Sequence, residues 1–315
     1  MSFAFIFPGQ GSQSVGMLAD LAAQHAQVTE TFTEASEALG YDLWEIVQEG
    51  PAEELNQTHI TQPAMLAAGI AVYRVWQARG GAQPVAMAGH SLGEYTALVA
   101  AGSLSLADAV SLVADRGRYM QEAVPAGVGA MAAILGLDDA KVIEVCEQAA
   151  QGEVVSAVNF NSPGQVVVAG HKAAVERAVE LAKAVGAKRA LVLPVSVPSH
   201  CSLMLSAASM LAERMAGIEF RVPAISVYNN VDVAAESDAD AIRAALKRQL
   251  FSPVRWVETI QALSGLGVDN VVECGPGKVL AGLNKRINKG MGTQVTLDAD
   301  SLAKALGAMG ESNNV

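Results

Sequence analysis

The stretch from Pro84 to about Ala101 constrains the fold more than any other part of the chain. A short apolar run, Pro84 to Ala88, leads without a spacer into Gly89-His90-Ser91-Leu92-Gly93, and helical patterning follows from Glu94. A strand that turns so sharply into a helix belongs to an α/β architecture, with helices packed over a parallel sheet. Small residues on both sides of Ser91 permit a strained turn, which exposes a serine Oγ beside the free N–H groups of a helix start. A tight β-to-α turn with glycines for backbone reasons alone satisfies the same pattern.

Elsewhere the patterning repeats that logic. Phe3 to Phe7 reads as a buried strand and runs into the turn Pro8-Gly9-Gln10-Gly11-Ser12-Gln13. Thr61-Gln62-Pro63 announces a helix from Ala64 to Arg79 that is apolar on nearly all sides and therefore buried. The spacing from Ser105 to Gln121 fits an amphipathic helix with Ser103 or Ser105 near its cap and Arg116 toward its end. Between Gly127 and Pro194 the character changes. Strands at Ala130–Leu137, Val154–Phe160, Gln165–Ala169 and Arg189–Pro194 alternate with helices at Asp138–Ala150 and Lys172–Gly186, with a turn at Asn161-Ser162-Pro163-Gly164. This βαββαβ order is that of a ferredoxin-like unit. Because α/β material resumes afterward, with a helix near Ser202–Met215 and strands near Ile225 and Val271, the unit reads as an insert, residues 127–194. The main domain, residues 1–126 and 195–315, is then discontinuous, and Glu311 to Val315 are polar enough to fray.

A formal charge of −11 argues against sequence-independent nucleic-acid binding, which needs a basic surface. It also means that an acidic partner requires a local basic patch. Cys146, Cys201 and Cys274 are odd in number and widely spaced, with no CxxC pair, and read as reduced cytosolic thiols. The apolar start is too short, and lacks the basic flank, for a signal peptide, and nothing approaches a membrane span. A cytoplasmic enzyme is expected.

A serine hydroxyl needs a base. Of five histidines, His90 adjoins Ser91 and points away from it, His25 and His59 lie in polar helix-like or loop contexts, and His171 opens a helix of the insert. His200, after an apolar strand and a Pro198-Ser199 turn, is the candidate its position favours. An acid such as Asp108 or Asp115, or a backbone carbonyl, could orient it. Gly275-Pro276-Gly277-Lys278 lacks the remaining residues of a phosphate loop, and the glycines at Gly127-Val128-Gly129 precede a strand instead of following one, so nucleotide binding is not indicated. Cys201 beside His200 has no companion ligands, and no metal is expected.

Four segments, Gly9-Gln10-Gly11-Ser12-Gln13, Gly89-His90-Ser91-Leu92-Gly93-Glu94, Ala114-Asp115-Arg116-Gly117 and Val197-Pro198-Ser199-His200, together resemble the malonyl-CoA:acyl-carrier-protein transacylases. These belong to the acyltransferase family of fatty acid and polyketide synthesis, and the resemblance runs from Phe3 to about Gly282. It implies a large α/β-hydrolase-like domain with a mainly parallel sheet plus the inserted ferredoxin-like subdomain. It further implies Ser91 as acylated nucleophile, His200 as general base and acid, and a main-chain carbonyl at Gln249 orienting the histidine. Gln10 and the backbone of Leu92 would form the oxyanion hole, and Arg116 would clamp the malonyl carboxylate, although by itself Arg116 reads as a solvated charge at a helix end. Gln62 matches a position near the substrate pocket, where helix capping explains it nearly as well. The implied reaction uses malonyl-CoA and acyl carrier protein as substrates and no cofactor. Lys285, Arg286 and Lys289, with Lys188 and Arg189, would receive the acidic carrier at the mouth of the cleft. A serine thioesterase or hydrolase, the malonyl-transfer subunit of a malonate decarboxylase or polyketide system, and a docking subunit retaining the fold are the competing readings.

Overall fold

The computed structural model describes residues 2–195 and 197–310, and the C-terminal residues expected to fray lie outside them. The chain supplies β1 (Phe3–Phe7) and β2 (Ala86–Gly89), then β3 (Gly129–Leu135), β4 (Val155–Ser162), β5 (Gln165–His171) and β6 (Arg189–Val192). Strands β7 (Val227–Tyr228), β8 (Asn270–Glu273) and β9 (Gly292–Val295) follow. One sheet, ordered β7-β2-β1-β8-β9, is parallel throughout. The other, ordered β4-β5-β3-β6, is antiparallel.

The central strand shows why the first sheet is covered on both faces. All five residues of β1 are buried, and alternate side chains enter different layers. Phe3, Phe5 and Phe7 pack with Tyr73 and Trp76 of the helix Thr58–Ala78, the Phe5 and Trp76 rings meeting edge-on at 5.1 Å. Ala4 and Ile6 pack with Trp256, Ile260 and Leu263 on the opposite face. The long helix begins earlier than its Thr-Gln-Pro signal suggests, and Pro63 lies inside it. The N–H that proline lacks is offset by packing, since every side chain from Ile60 to Tyr73 is buried.

In the second sheet, the helices Asp139–Ala150 and Lys172–Ala184 cover one face with a core of Ala132, Ile134, Val142, Val166, Val168 and Val175. Its other face turns Met131 and Val167 toward Cys201. Strand ends differ from the sequence reading where backbone conformation intervenes. β3 stops at Leu135 because Gly136 turns with φ +91°, and Asn161 and Ser162 extend β4, leaving Pro163-Gly164 as the turn. β6 ends at Val192, two residues before Pro194. The strand expected near Ile225 forms at Val227–Tyr228.

Ser91 follows β2, and the Pro8–Gln13 turn follows β1. Both therefore lie at the carboxyl ends of adjacent parallel strands, where ligands of open α/β sheets bind.

Candidate active site

Ser91 caps the helix Leu92–Ala100 with φ 51° and ψ −106°, a conformation that side chains rarely adopt. Glycine is required on both sides. A Cβ on Gly89 would stand 1.9 Å from the Gly93 carbonyl, and one on Gly93 2.0 Å from the Phe7 carbonyl oxygen. Two buried amides hold the strain. Ser91 N–H donates to Asn230 Oδ1 (2.7 Å), whose Nδ2 donates to the Gly89 carbonyl (2.7 Å), while Gln249 Nε2 donates to the Ser91 carbonyl (3.0 Å).

His200 also has a left-handed backbone, φ 66°. Successive carbonyls fix it: the His200 N–H donates to Leu250 O (2.9 Å), and Nδ1 lies 2.7 Å from Gln249 O. A carbonyl only accepts, so the ring proton of neutral His200 sits on Nδ1 and the lone pair of Nε2 faces Ser91 Oγ, 2.8 Å away. Burial, and then the positive charge of Arg116, push His200 down to about 3, so it is neutral at physiological pH. Among the described residues no acid bonds to it. Asp108 caps its own helix with Ser105, and Asp115 pairs with Arg118 and Arg214. Three of the other four histidines are engaged elsewhere, His90 with Asn161 (2.8 Å), His59 with Gln121 (3.1 Å) and His171 with the Val154 N–H (2.9 Å), and His25 lies at the junction of the helices Ala19–Gln24 and Ala26–Leu39.

Arg116 is not a solvated charge, being 1% exposed. Its Nη1 donates to Gln62 Oε1 (2.7 Å), and its Nη2 to Gln249 Oε1 (3.0 Å) and Ser91 Oγ (3.2 Å). Its Nε is buried without a partner, and the guanidinium lies 5.4 Å from the Tyr95 ring centre. Among the described residues, every oxygen it bonds to is neutral. Burying a cation this way is costly unless the site is built for an anion. Gln62, buried inside its helix, does not cap it; its amide oxygen aims the guanidinium.

These groups open on a cleft of about 430 Å³ lined by Gln10, Leu92 and Leu283 from one side and Met131, Asn159 and Val167 from the second sheet. The backbone N–H groups of Leu92 and Gln10 meet no acceptor among the described residues. The helix Val279–Ile287 lines the cleft through Val279, Leu280 and Leu283, and carries Lys285 and Arg286 in its exposed last turn, with Lys289 just beyond. Arg286 Nη1 donates to Gln165 Oε1 of β5 (2.8 Å). Lys188 and Arg189, also exposed, open the edge strand β6.

Two buried residues escaped the sequence reading, Asn230 and Glu94. Asn230 follows the two-residue strand β7 and carries no local signal. Glu94 stood in the quoted motif as an acid in the first turn of a helix, where helix-dipole preference explains it without any site.

A neutral Ser–His pair on a strained turn, beside a buried guanidinium, is the arrangement of the serine-nucleophile enzymes, in which a histidine draws the proton from the hydroxyl. The chain matches the acyl transferase domain over residues 4–299. It is 61% identical over 304 residues to the malonyl CoA-acyl carrier protein transacylase of Escherichia coli strain K12, covering 96% of this chain and 98% of that one. The solved transacylase of that name from Coxiella burnetii superposes with a TM-score of 0.97 at 52% identity, over 98% of each chain. A malonyl-transacylase solved with a holo type II PKS acyl-carrier protein also gives 0.97, at 57% identity over 98% of this chain and 100% of that one. The chain belongs to the malonyl-CoA–acyl carrier protein transacylase family.

Proposed function

We propose that the protein transfers the malonyl group of malonyl-CoA to the phosphopantetheine thiol of an acyl carrier protein through a malonyl-Ser91 ester, supplying fatty acid biosynthesis. The observation that carries this reading is Arg116, a buried guanidinium with an unpartnered Nε, 3.2 Å from the nucleophilic oxygen. Its planar fork suits the free carboxylate of malonyl, which must sit a fixed distance from the reacting thioester.

Ser91 Oγ attacks the thioester carbonyl as His200 Nε2 takes its proton. The Leu92 and Gln10 N–H groups receive the oxyanion. Coenzyme A leaves as its sulfur regains the proton from His200. The carrier thiol then gives its proton to His200, attacks the ester, and Ser91 departs with the proton returned. The sequence is ping-pong and calls for neither metal nor cofactor. The cytoplasm suits the three free cysteines.

Intact-protein mass spectrometry after incubation with malonyl-CoA should find one malonyl increment, discharged on adding holo carrier protein. Release of free malonate at the same rate without a carrier would make the protein a hydrolase instead. Likeness to a transacylase solved with a polyketide carrier favours a second reading, delivery to such a carrier, and relative rates on the two carriers decide between them.

The acidic carrier docks, in this reading, along Lys285, Arg286 and Lys289 and along Lys188 and Arg189. The helix carrying the first group also lines the cleft. Reversing Arg189 and Arg286 to Glu should raise the KM for the carrier by about tenfold through slower encounter, leaving the KM for malonyl-CoA unchanged. Unchanged carrier kinetics would remove the patch from its role.

A further inference from the structure

One carboxylate within the site has no part in that reaction. Glu94 lies one helical turn beyond Ser91 and is 2% exposed. Its Oε2 accepts two hydrogen bonds, from the Asn230 N–H (2.9 Å) and from Gln249 Nε2 (2.8 Å). The same Gln249 side chain accepts from Arg116 through Oε1 (3.0 Å), so a single amide bridges carboxylate and guanidinium. Arg116 touches only neutral oxygens, and Glu94 is the buried anion that faces it across that bridge.

The other carboxylate oxygen, Oε1, takes no hydrogen bond among the described residues. Glu94 also lines a small cavity of about 10 Å³, shared with Asn229 and Glu236 and with no lining residue in common with the substrate cleft. That is space for about one water. A proton on Oε1 therefore leaves both hydrogen bonds to Oε2 intact. The two protonation states share one geometry and differ in charge alone.

We propose that Glu94 is the exchangeable counter-ion of Arg116, a positioning residue that balances the guanidinium in the empty site and takes up a proton from solvent when the substrate carboxylate arrives. This rests on the malonyl-transfer reading. Two anions cannot share one buried cation without raising the cost of the second, and the carboxylate that must bind is the substrate's.

The surroundings leave Glu94 as the group of this network that can respond near neutral pH. Burial pushes it up to about 7 against the opposing pull of Gln249, Asn230 and Arg116, with the Asp232 carboxylate pushing the same way as burial. Tyr95, raised to about 12, and His200, lowered to about 3, stay neutral. Asp232 is paired with Arg248, and Glu236 faces the same cavity. Glu273, also near 7, bonds instead to the Leu280 and Ala281 N–H groups at the start of the helix lining the cleft. The sign follows. Malonyl-CoA binds best when Glu94 can be protonated, so its affinity should fall as pH rises past about 7, by on the order of tenfold by pH 9.

Calorimetric titration of malonyl-CoA into Ser91→Ala, in buffers of different ionisation enthalpy, counts the protons taken up. At pH 7 malonyl-CoA should bring in roughly half a proton per site more than coenzyme A, which lacks the carboxylate. The excess should vanish in Ser91→Ala/Glu94→Gln, because glutamine keeps an acceptor for Asn230 and Gln249 but cannot be ionised. Equal uptake for the two ligands, or an excess that survives Glu94→Gln, overturns the proposal. Should the double variant fail to fold, the comparison of ligands on Ser91→Ala alone still decides. Failure of malonyl-CoA to bind Ser91→Ala would instead bring down the malonyl reading and this inference with it.

Discussion

His200→Ala is expected to slow formation of the malonyl-enzyme by roughly 10⁴- to 10⁶-fold, while malonyl-CoA still binds within a few-fold of its usual affinity. The ring touches Ser91 Oγ through Nε2 and the protein through Nδ1, so its loss removes the proton acceptor but leaves Arg116 and its glutamines in place. Among the described residues no carboxylate bonds to Nδ1 to take over, since its partner is the Gln249 carbonyl. Single-turnover mass spectrometry measures the rate, and calorimetry on the same variant measures binding. A loss below tenfold would show that another group takes the proton. The low basicity of His200 in the empty site has a cause that substrate weakens. After burial, the largest influence lowering it is the Arg116 charge, which a malonyl carboxylate set directly against the guanidinium would screen more closely than Glu94, held off behind the Gln249 amide. The base thus strengthens when the correct acyl group is bound.

The strained turn at Ser91 was legible in the sequence because sterics write it locally. Ser91 needs glycine at 89 and 93, where neighbouring backbone comes within 2.0 Å of any added Cβ. The antiparallel sheet and its helices were legible too, since they alternate over short spacings, and the differences fell at strand ends: at Gly136, where a positive φ stops β3, at Asn161 and Ser162, which extend β4, and at Val192, where β6 ends. Arg116 was not legible from its own surroundings. Its helix has an ordinary amphipathic pattern, and only packing against the helix of Gln62 and the end of Ala239–Gln249 buries its guanidinium. Asn230 and Glu94 meet across 136 positions of chain and hold the elbow from behind. No window of sequence contains such a contact. The family resemblance supplied Arg116 and Gln249, but it said nothing of the carboxylate that Gln249 joins to Arg116.

Arg116→Ala should lower kcat/KM for malonyl-CoA by on the order of 10²- to 10³-fold, the cost of leaving one member of a buried ion pair alone. The same change should raise kcat/KM for acetyl-CoA, so that the order of preference reverses. In the wild type an acetyl group brings no carboxylate against the guanidinium beside the reacting ester, which keeps only Glu94 across the Gln249 bridge, and leaves His200 depressed by its charge. Removing the guanidinium ends both penalties. Glu94 loses its counter-ion and shifts further toward its protonated form, since Arg116 is one of the influences holding its carboxyl down. Arg116→Lys separates charge from shape. An ammonium keeps the positive charge but has no planar fork to span Gln62 Oε1 and Gln249 Oε1 together, so malonyl transfer should fall to an intermediate level with little gain for acetyl. Steady-state kinetics on both thioesters test this. Equal proportional losses for malonyl and acetyl in Arg116→Ala would mean that Arg116 only supports the elbow, and the carboxylate would have to be recognised elsewhere in the cleft.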